Sequence, residues 1–574
     1  MQRNVLLFVV LSFLVIAGFQ FLLPSKPQQP AARTPASGAA AQPGNPAAPA
    51  SSPPPAPSTQ RPATPVPASA PSIEGRDITV DNAYVRATFT TRGGALKSWR
   101  LKTYRDTAGA TLELVPQTVG ADVPLPFTLS VQDAALSNEL ENGSFTASAD
   151  ALHVEQGQQT LRLDFRGAGG LEAHKTFVLS AAQPYVLVFS ASVTRAGQPV
   201  SFTVHGGPSL GGGLVPHSRS YNPPSQPIFY KDGSVTRVSQ DKIPAQAVQE
   251  GTFGFVGVDD HYFLDALVAP KTPVRVEYQP LNVQMPSNPE GAHFVRWWMV
   301  FPSPPTDATF FLGPKDFDVL ASVDRNLVRA IHFGMFAWLA VPLLRALKWI
   351  NGFVGNYGWS VIILTVLINL AMFPLRHKSV VSMRKMQEIQ PEVKAIQDRY
   401  AKLKMSDPAR SKMNVELMNL YRERGVNPAS GCVPMLLTFP VLFAFYSLLA
   451  VAIELRGAPF ILWIHDLVAP DPYYVLPVLM GATMFFQQRM TPTTADPMQQ
   501  KMMLVMPVVL AGMSLWWSSG LLLYWTVSNL WGIGQQMITN RLIGPMQQRT
   551  VRPPAERRIK KAGSGRTDQA KERE

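Results

Sequence analysis

Thr365, Asn369 and Arg376 stand at intervals of four and seven residues within YGWSVIILTVLINLAMFPLRHK (357–378). At 3.6 residues per helical turn they share a face, in a stretch otherwise apolar enough to cross a bilayer. A hydroxyl, a carboxamide and a guanidinium in a row make no nucleophile and base. They offer solvation to a polar or charged group that would otherwise meet hydrocarbon. Such a stripe faces other helices or a wet cavity, because lipid gives it no partners. Thr and Asn also join helices to one another, so the stripe alone leaves both uses open.

The chain that must position this stripe has 574 residues, too many for one ordinary domain. It is 46% hydrophobic and only 16% charged, with a net charge of +13. Clustered apolar runs with few charges indicate a membrane protein whose basic excess belongs on cytoplasmic loops rather than on DNA. Cys432 is the single cysteine, which excludes an intramolecular disulfide and a cysteine zinc cluster. Neither GxxxxGK[ST] nor HExxH occurs, so a P-loop ATPase and a zincin have no support, and no cofactor, metal or catalytic residue is expected.

Residues 1–4 precede VLLFVVLSFLVIAGFQFLL (5–23), long enough to span a bilayer as a retained anchor. A cleaved signal peptide is the rival, but Gln20 to Pro24 makes a poor cleavage site. Arg3 argues for an N-terminus on the inside. Residues 24–76, nearly all Pro, Ala, Ser, Gln, Thr and Gly, cannot bury a core and read as a disordered tether. From 77 to 330, alternating stretches such as LRLDFRG (161–167), YVLVFSASV (185–193) and VRVEYQPL (274–281) predict a large antiparallel β-sandwich. Its histidines (His153, His174, His205, His217, His261 and His293) are scattered without metal-ligand spacing, so the domain reads as non-catalytic.

Residues 334–356 read as an amphipathic helix lying in the interface, with Leu339, Leu343, Leu347, Ile350 and Val354 on one row and Trp338 and Trp349 at headgroup level. Five spanning helices follow at 357–375, 434–453, 474–487, 502–517 and 521–538. Alternation puts 376–433, 488–501 and 539–574 in the cytoplasm and 454–473 outside, and the Lys and Arg distribution obeys the positive-inside rule. Within 376–433, Met386, Ile389, Val393, Ile396, Tyr400 and Leu403 repeat at helical steps. Asp407-Pro408 then offers a cap, and Met413, Leu417, Leu420 and Tyr421 repeat again. This predicts a helical hairpin, either a self-contained pair or a platform for a nascent chain or ribosome. Met480, Met484, Met490, Met498, Met502, Met503 and Met506 suit a surface that meets many apolar partners, or a membrane core. The basic tail could hold ribosomal RNA or fix topology.

The strings FVGNYGWSVIILT (353–365), NPASGCVPMLLTFPVLFAFY (427–446), ELRGAPFILWIHDLVAPDPYYVLPVLMGATMFF (454–486), TPTTADPMQQKMM (491–503) and SGLLLYWTVSNL (519–530) resemble the YidC/Oxa/Alb family of membrane protein insertases. The resemblance covers about 77–550 and includes the Gram-negative order of anchor, tether and sandwich. It implies a five-helix insertase core with an anchor helix and a large periplasmic β-sandwich, in the bacterial inner membrane with both termini cytoplasmic. It further implies a hydrophilic groove open to cytoplasm and lipid, working without nucleotide hydrolysis. Nascent membrane proteins are the implied substrates. The Sec translocon, the ribosome (through hairpin and tail) and membrane lipids are the implied partners. Matched to the family, Thr365, Asn369 and Arg376 fall in the groove, and Met480, Tyr524 and Trp525 on the greasy substrate-contacting face. Relatives carry Arg or Lys where this chain has Asn369, and Arg376 is the residue expected to lend the missing charge. A channel or secondary transporter with a periplasmic binding domain is the alternative, but the inverted repeat it calls for is not found. A sugar-active enzyme would leave five spans and a hairpin without a purpose.

Overall fold

The computed structural model describes residues 75–543 other than 107–108, 121–122, 209, 211–223, 286–287, 401–408, 427–432 and 492–496. The expected anchor 5–23, nearly all of the tether, the Asp407-Pro408 cap and the tail beyond 543 lie outside these residues. Residues 395–418 form a unit apart from 75–394 and 419–543.

Alternation builds the β-rich domain. In Gln158–Arg166, Leu161, Leu163 and Phe165 are buried while Arg162, Asp164 and Arg166 are exposed, the period-2 signature of a strand with one wet face. Three sheets of five, ten and five strands result, almost wholly antiparallel, with one parallel pair between Asp77–Asn82 and Ala151–Val154. Every residue of Phe263–Val268, in the middle of the ten-stranded sheet, is buried, as its unbroken FLDALV reading requires. The core is aromatic: Phe127 lies 5.4, 5.1 and 5.0 Å from the rings of Phe177, Phe189 and Phe310.

Gly93 and Gly94 turn the chain between Val85–Thr90 and Ala95–Arg105, both at positive φ, 66° and 54°. Their carbonyls, with that of Phe127, accept from the Nζ of fully buried Lys175 at 2.6, 3.1 and 2.8 Å. Burial pushes the Lys175 pKa well below the lysine range. Three carbonyls and the face of Phe145, 4.7 Å away, use all three donors of the ammonium.

Ten helices of six residues or more are described: α1 (Ala134–Asn142), α2 (Phe317–Val323), α3 (Ala337–Val354), α4 (Tyr357–Glu388), α5 (Gln390–Arg399), α6 (Ala409–Glu423), α7 (Val433–Val451), α8 (Val475–Met490), α9 (Pro497–Met513) and α10 (Ser519–Ile543). Among the described residues α4 is the one helix long and apolar enough to cross a membrane by itself; α7 and α9 contain shorter apolar stretches. α4 does not end at 375, where hydropathy falls. Arg, His and Lys are sound helix formers, so it continues 13 residues further to Glu388. α10 packs on α4 and α8, α9 packs on α8, and α3 packs on α4 and α7.

α3 corrects the expected apolar row. Ala340, Leu344, Leu347 and Ile350 are buried, whereas Leu339 and Leu343 are half-buried and Val354 is exposed. The row is turned by about one position, which leaves Trp338, Trp349 and Phe353 outward at 70%, 66% and 76% exposure.

Candidate functional site

Thr365 and Asn369 are buried on α4, facing α10. The Thr365 hydroxyl donates to Val361 O at 2.6 Å, a back-bond that satisfies a hydroxyl within its own helix. Asn369 donates from Nδ2 to Thr365 O at 2.8 Å and to Ser528 Oγ of α10 at 3.4 Å. Its Oδ1 accepts from Arg376 Nη1 at 2.7 Å. Arginine has only donors, so this contact fixes the carboxamide with its oxygen toward the guanidinium. Seven residues span about 10 Å of helix, yet helical side chains lean toward the N-terminus. Arg376 therefore delivers its charge back up the membrane to the level of Asn369, although its backbone lies two turns nearer the basic end.

α10 supplies the other wall. Tyr524 lies beside Ser528, and Gln535 and Thr539 continue the row at steps of seven and four. Gln535 donates to Phe373 O at 3.5 Å and His377 meets Thr539 Oγ1 at 3.2 Å, so the α4–α10 seam stays polar toward the basic end. Toward the opposite end it is dry: Val361 and Leu364 on α4 and Leu521, Leu522 and Leu523 on α10 are buried. A second polar contact joins α10 to α8, where Asn529 Nδ2 donates to Thr483 Oγ1 at 3.2 Å and Met480 O at 3.3 Å.

The loop between α7 and α8 closes the dry end. Ser519 Oγ donates to Ala469 O at 2.8 Å and Gly520 N to Leu467 O at 2.8 Å. Asn356 reaches Phe460 O at 3.0 Å, and Gly358 packs so tightly on the Phe460 ring that any Cβ would collide with it. Asp471, 1% exposed, pins the loop: its carboxylate accepts from Trp463 Nε1 at 2.9 Å, Tyr473 N at 3.0 Å and Leu476 N at 2.7 Å. The arrangement is a polar seam, sealed at one end and graded toward a basic one. It can solvate a polar segment but holds no pair of groups set for bond chemistry.

Residues 349–547 match the model of the 60Kd inner membrane protein family, and residues 77–346 that of the YidC periplasmic domain. The chain is 34% identical over 563 residues to the membrane protein insertase YidC of Geobacter metallireducens, covering 95% of this chain and 99% of that one. It belongs to the YidC family of membrane protein insertases. The YidC of Geobacter sulfurreducens is 38% identical over 484 residues, covering 81% of this chain and 86% of its own. Among solved structures, an active YidC insertase with its first transmembrane domain resolved aligns over 81% of this chain and 92% of its own, at 16% identity and a TM-score of 0.33.

In this YidC-family chain the groove residues expected from sequence, Thr365, Asn369 and Arg376, do come together. The three expected on the greasy face do not lie on an exposed one. Met480 is fully buried between helices, and Tyr524, 6% exposed, stacks on Phe445 of α7 at 4.2 Å and 15°. Trp525 is half-buried against Trp517, with ring centroids 5.7 Å apart. Apolar side chains near a helix–helix seam lower the free energy more by packing there than by facing outward, which is why these three turned in. The outward apolar residues are others: Tyr446 on α7, Leu530 and Ile538 on α10, Val478 and Phe486 on α8. Ser528, Asn529, Gln535 and Thr539 were missed in the sequence, although TVSNLWGIGQQMIT shows polar residues at helical spacing. Asp471 left no local signal, because its partners are set by the loop's path.

Proposed function

We propose that this protein inserts nascent membrane proteins into the inner membrane by solvating their polar segments in the α4–α10 seam while their apolar segments pass along the outward apolar surface. The observation that carries this is Arg376 held to Asn369 inside an otherwise apolar helical block. A charged residue at mid-membrane costs roughly 2.5–3.5 kcal/mol on insertion scales. A wet, half-depth seam shortens the dry path and lowers that barrier without nucleotide hydrolysis. A cation at the level of Asn369 adds attraction for acidic or polar head segments. The seal made by Asp471, Ala469 and Leu467 supports a path open toward the basic end alone, so the seam admits a polar segment from the side where synthesis occurs.

The wider assignment follows the same logic. The termini and the 376–433 segment lie in the cytoplasm, where the positive-inside rule puts their Lys and Arg. The β-rich domain then stands in the periplasm. α5 and α6, with the basic tail, face the ribosome, and the Sec translocon is the partner for larger clients. Lipids contact the outward apolar residues, and α3, with Trp338 and Trp349 outward, lies in the interface.

The test is reconstitution of the purified chain into liposomes with a short single-span substrate, in the absence of nucleotide. Protease-protected substrate is expected with wild type, with Arg376→Ala strongly impaired and Asn369→Arg restoring the double variant. No protected substrate with wild type would overturn the insertase reading; undiminished insertion by Arg376→Ala would overturn the role of the charge.

A further inference from the structure

Three polar contacts from the β-rich domain and α3 converge on one short stretch, 450–456, where α7 ends. His261 Nε2 meets Ala450 O at 2.7 Å. A carbonyl only accepts, so Nε2 carries the proton and donates. Ala450 O is among the last four carbonyls of α7, which have no donor within the helix. The helix is capped here by a residue 189 positions away in another domain.

The next two residues after His261 make the second contact. The Arg456 guanidinium lies over the rings of Tyr262 and Phe263, at 5.3 and 5.1 Å. The third contact runs through α3. Lys348 pairs with Glu454 at 3.2 Å, with Asp316 at 3.2 Å and with Asp318 at 2.5 Å. Asp316 caps the first turn of α2, and the Glu454 side chain is only 5% exposed. Burial works against the Lys348 cation, yet Asp318, Glu454 and Asp316 hold its pKa above the lysine range. One ammonium thus ties the end of the β-rich domain, the α3 helix and the turn after α7.

Phe445, stacked on Tyr524, stands five residues before Ala450 on the same helix. A rigid helix transmits the position of its end to that ring. We propose that the β-rich domain is a splint for α7, with His261, Arg456 and the Lys348–Glu454 pair as positioning residues that hold the helix's outer end and so set the Phe445–Tyr524 stack beside the polar seam. The functional consequence rests on the seam being the substrate path; the positional one does not. Contacts that merely glued two domains would be spread along their boundary. Here they fall within seven residues, and one of them occupies an orphan carbonyl of the helix itself.

Spin labels read this directly. In the full chain carrying Cys432→Ser, Tyr446→Cys on α7 and Leu530→Cys on α10 give two exposed labelling sites, 50% and 53% accessible. In liposomes the inter-label distance distribution should be narrow, and His261→Ala combined with Arg456→Ala should broaden it and shift its mean. His261→Gln should restore the narrow distribution on the wild-type Arg456 background where His261→Ala does not, because a carboxamide N–H can replace Nε2–H. Near-ultraviolet circular dichroism reports that the β-rich domain remains folded. Should the double variant not accumulate, Glu454→Gln, which keeps side-chain volume and removes the ion pair, is expected to broaden the distribution as well. A distribution as narrow as wild type in either case, with the β-rich domain folded, overturns the splint. A broadened distribution with unchanged insertion of a single-span substrate upholds the splint and overturns the seam as the substrate path.

Discussion

Arg376 Nη1 donates to Asn369 Oδ1 at 2.7 Å, across two turns of the same helix. The charge that the position of Asn369 lacks is thereby brought to its level from below, and the carboxamide that stands there is what holds it. Asn369 is a positioning residue for Arg376 in this arrangement, with Ser528 steadying its other end.

Asn369→Leu should therefore impair the seam without removing any charge. A hydrogen bond to a charged group is worth about 1.5–3 kcal/mol, and without it the guanidinium is free to swing toward the basic end. Insertion of substrates with acidic head segments should fall roughly tenfold or more, and substrates with uncharged heads should be affected less. Asn369→Asp, which neutralises the cation in place, should give the same discrimination. The check is protease protection of paired substrates differing by one Asp→Asn change.

Asp471→Ala removes the acceptor of three buried or half-buried N–H groups. Each donor left without a partner in a buried site costs about 1–3 kcal/mol, and the α8 entry loses its anchor. The 454–473 loop should open locally before the helices do. Hydrogen exchange at Leu476 and proteolysis within the loop, compared with wild type, report this; equal protection would show that the carboxylate is not the pin.

Burial pushes the carboxyl of Asp265, in the middle of the ten-stranded sheet, up to about 8. Between the ordinary carboxylate range and about pH 8 the unfolded chain has lost this proton and the folded domain keeps it. Stability of the β-rich domain should therefore fall as pH rises through that window, by up to roughly 1.4 kcal/mol per pH unit, and level off above it. Asp265→Asn should flatten the profile and raise the unfolding midpoint more at pH 8 than at pH 5. Denaturant titration of the full chain at several pH values, followed by near-ultraviolet circular dichroism, checks both.

Lys175→Met keeps the length of the side chain and removes its donors. The carbonyls of Gly93, Gly94 and Phe127 then lose their common partner inside a dry aromatic core. A loss of about 3 kcal/mol or more is expected, since isolated buried acceptors retain their full desolvation penalty. The same titration at pH 7 measures it.

The β-rich domain was legible in period-2 alternation because one face of most strands is wet; only strands buried on both faces, such as Phe263–Val268, lost the alternation. The helices were legible in existence but less so in extent. Hydropathy ends where a bilayer ends, whereas hydrogen bonding carries α4 through Arg376 to Glu388. Of the candidate site, Thr365, Asn369 and Arg376 were found by spacing alone, since one helix places them. The opposite wall depends on which face α10 turns toward α4, and no periodicity within α10 specifies its neighbour.

The sequence by itself determined the order of elements, the basic and apolar halves of the helical block, and the one face shared by Thr365, Asn369 and Arg376. These follow from local periodicity and composition. Tertiary structure alone decided that Met480 and Tyr524 turn inward, that Asp471 pins the loop, that His261 caps α7, and that the guanidinium of Arg376 rests on Asn369. Each of those depends on side-chain direction or on partners distant in the chain, and packing, not spacing, chooses them.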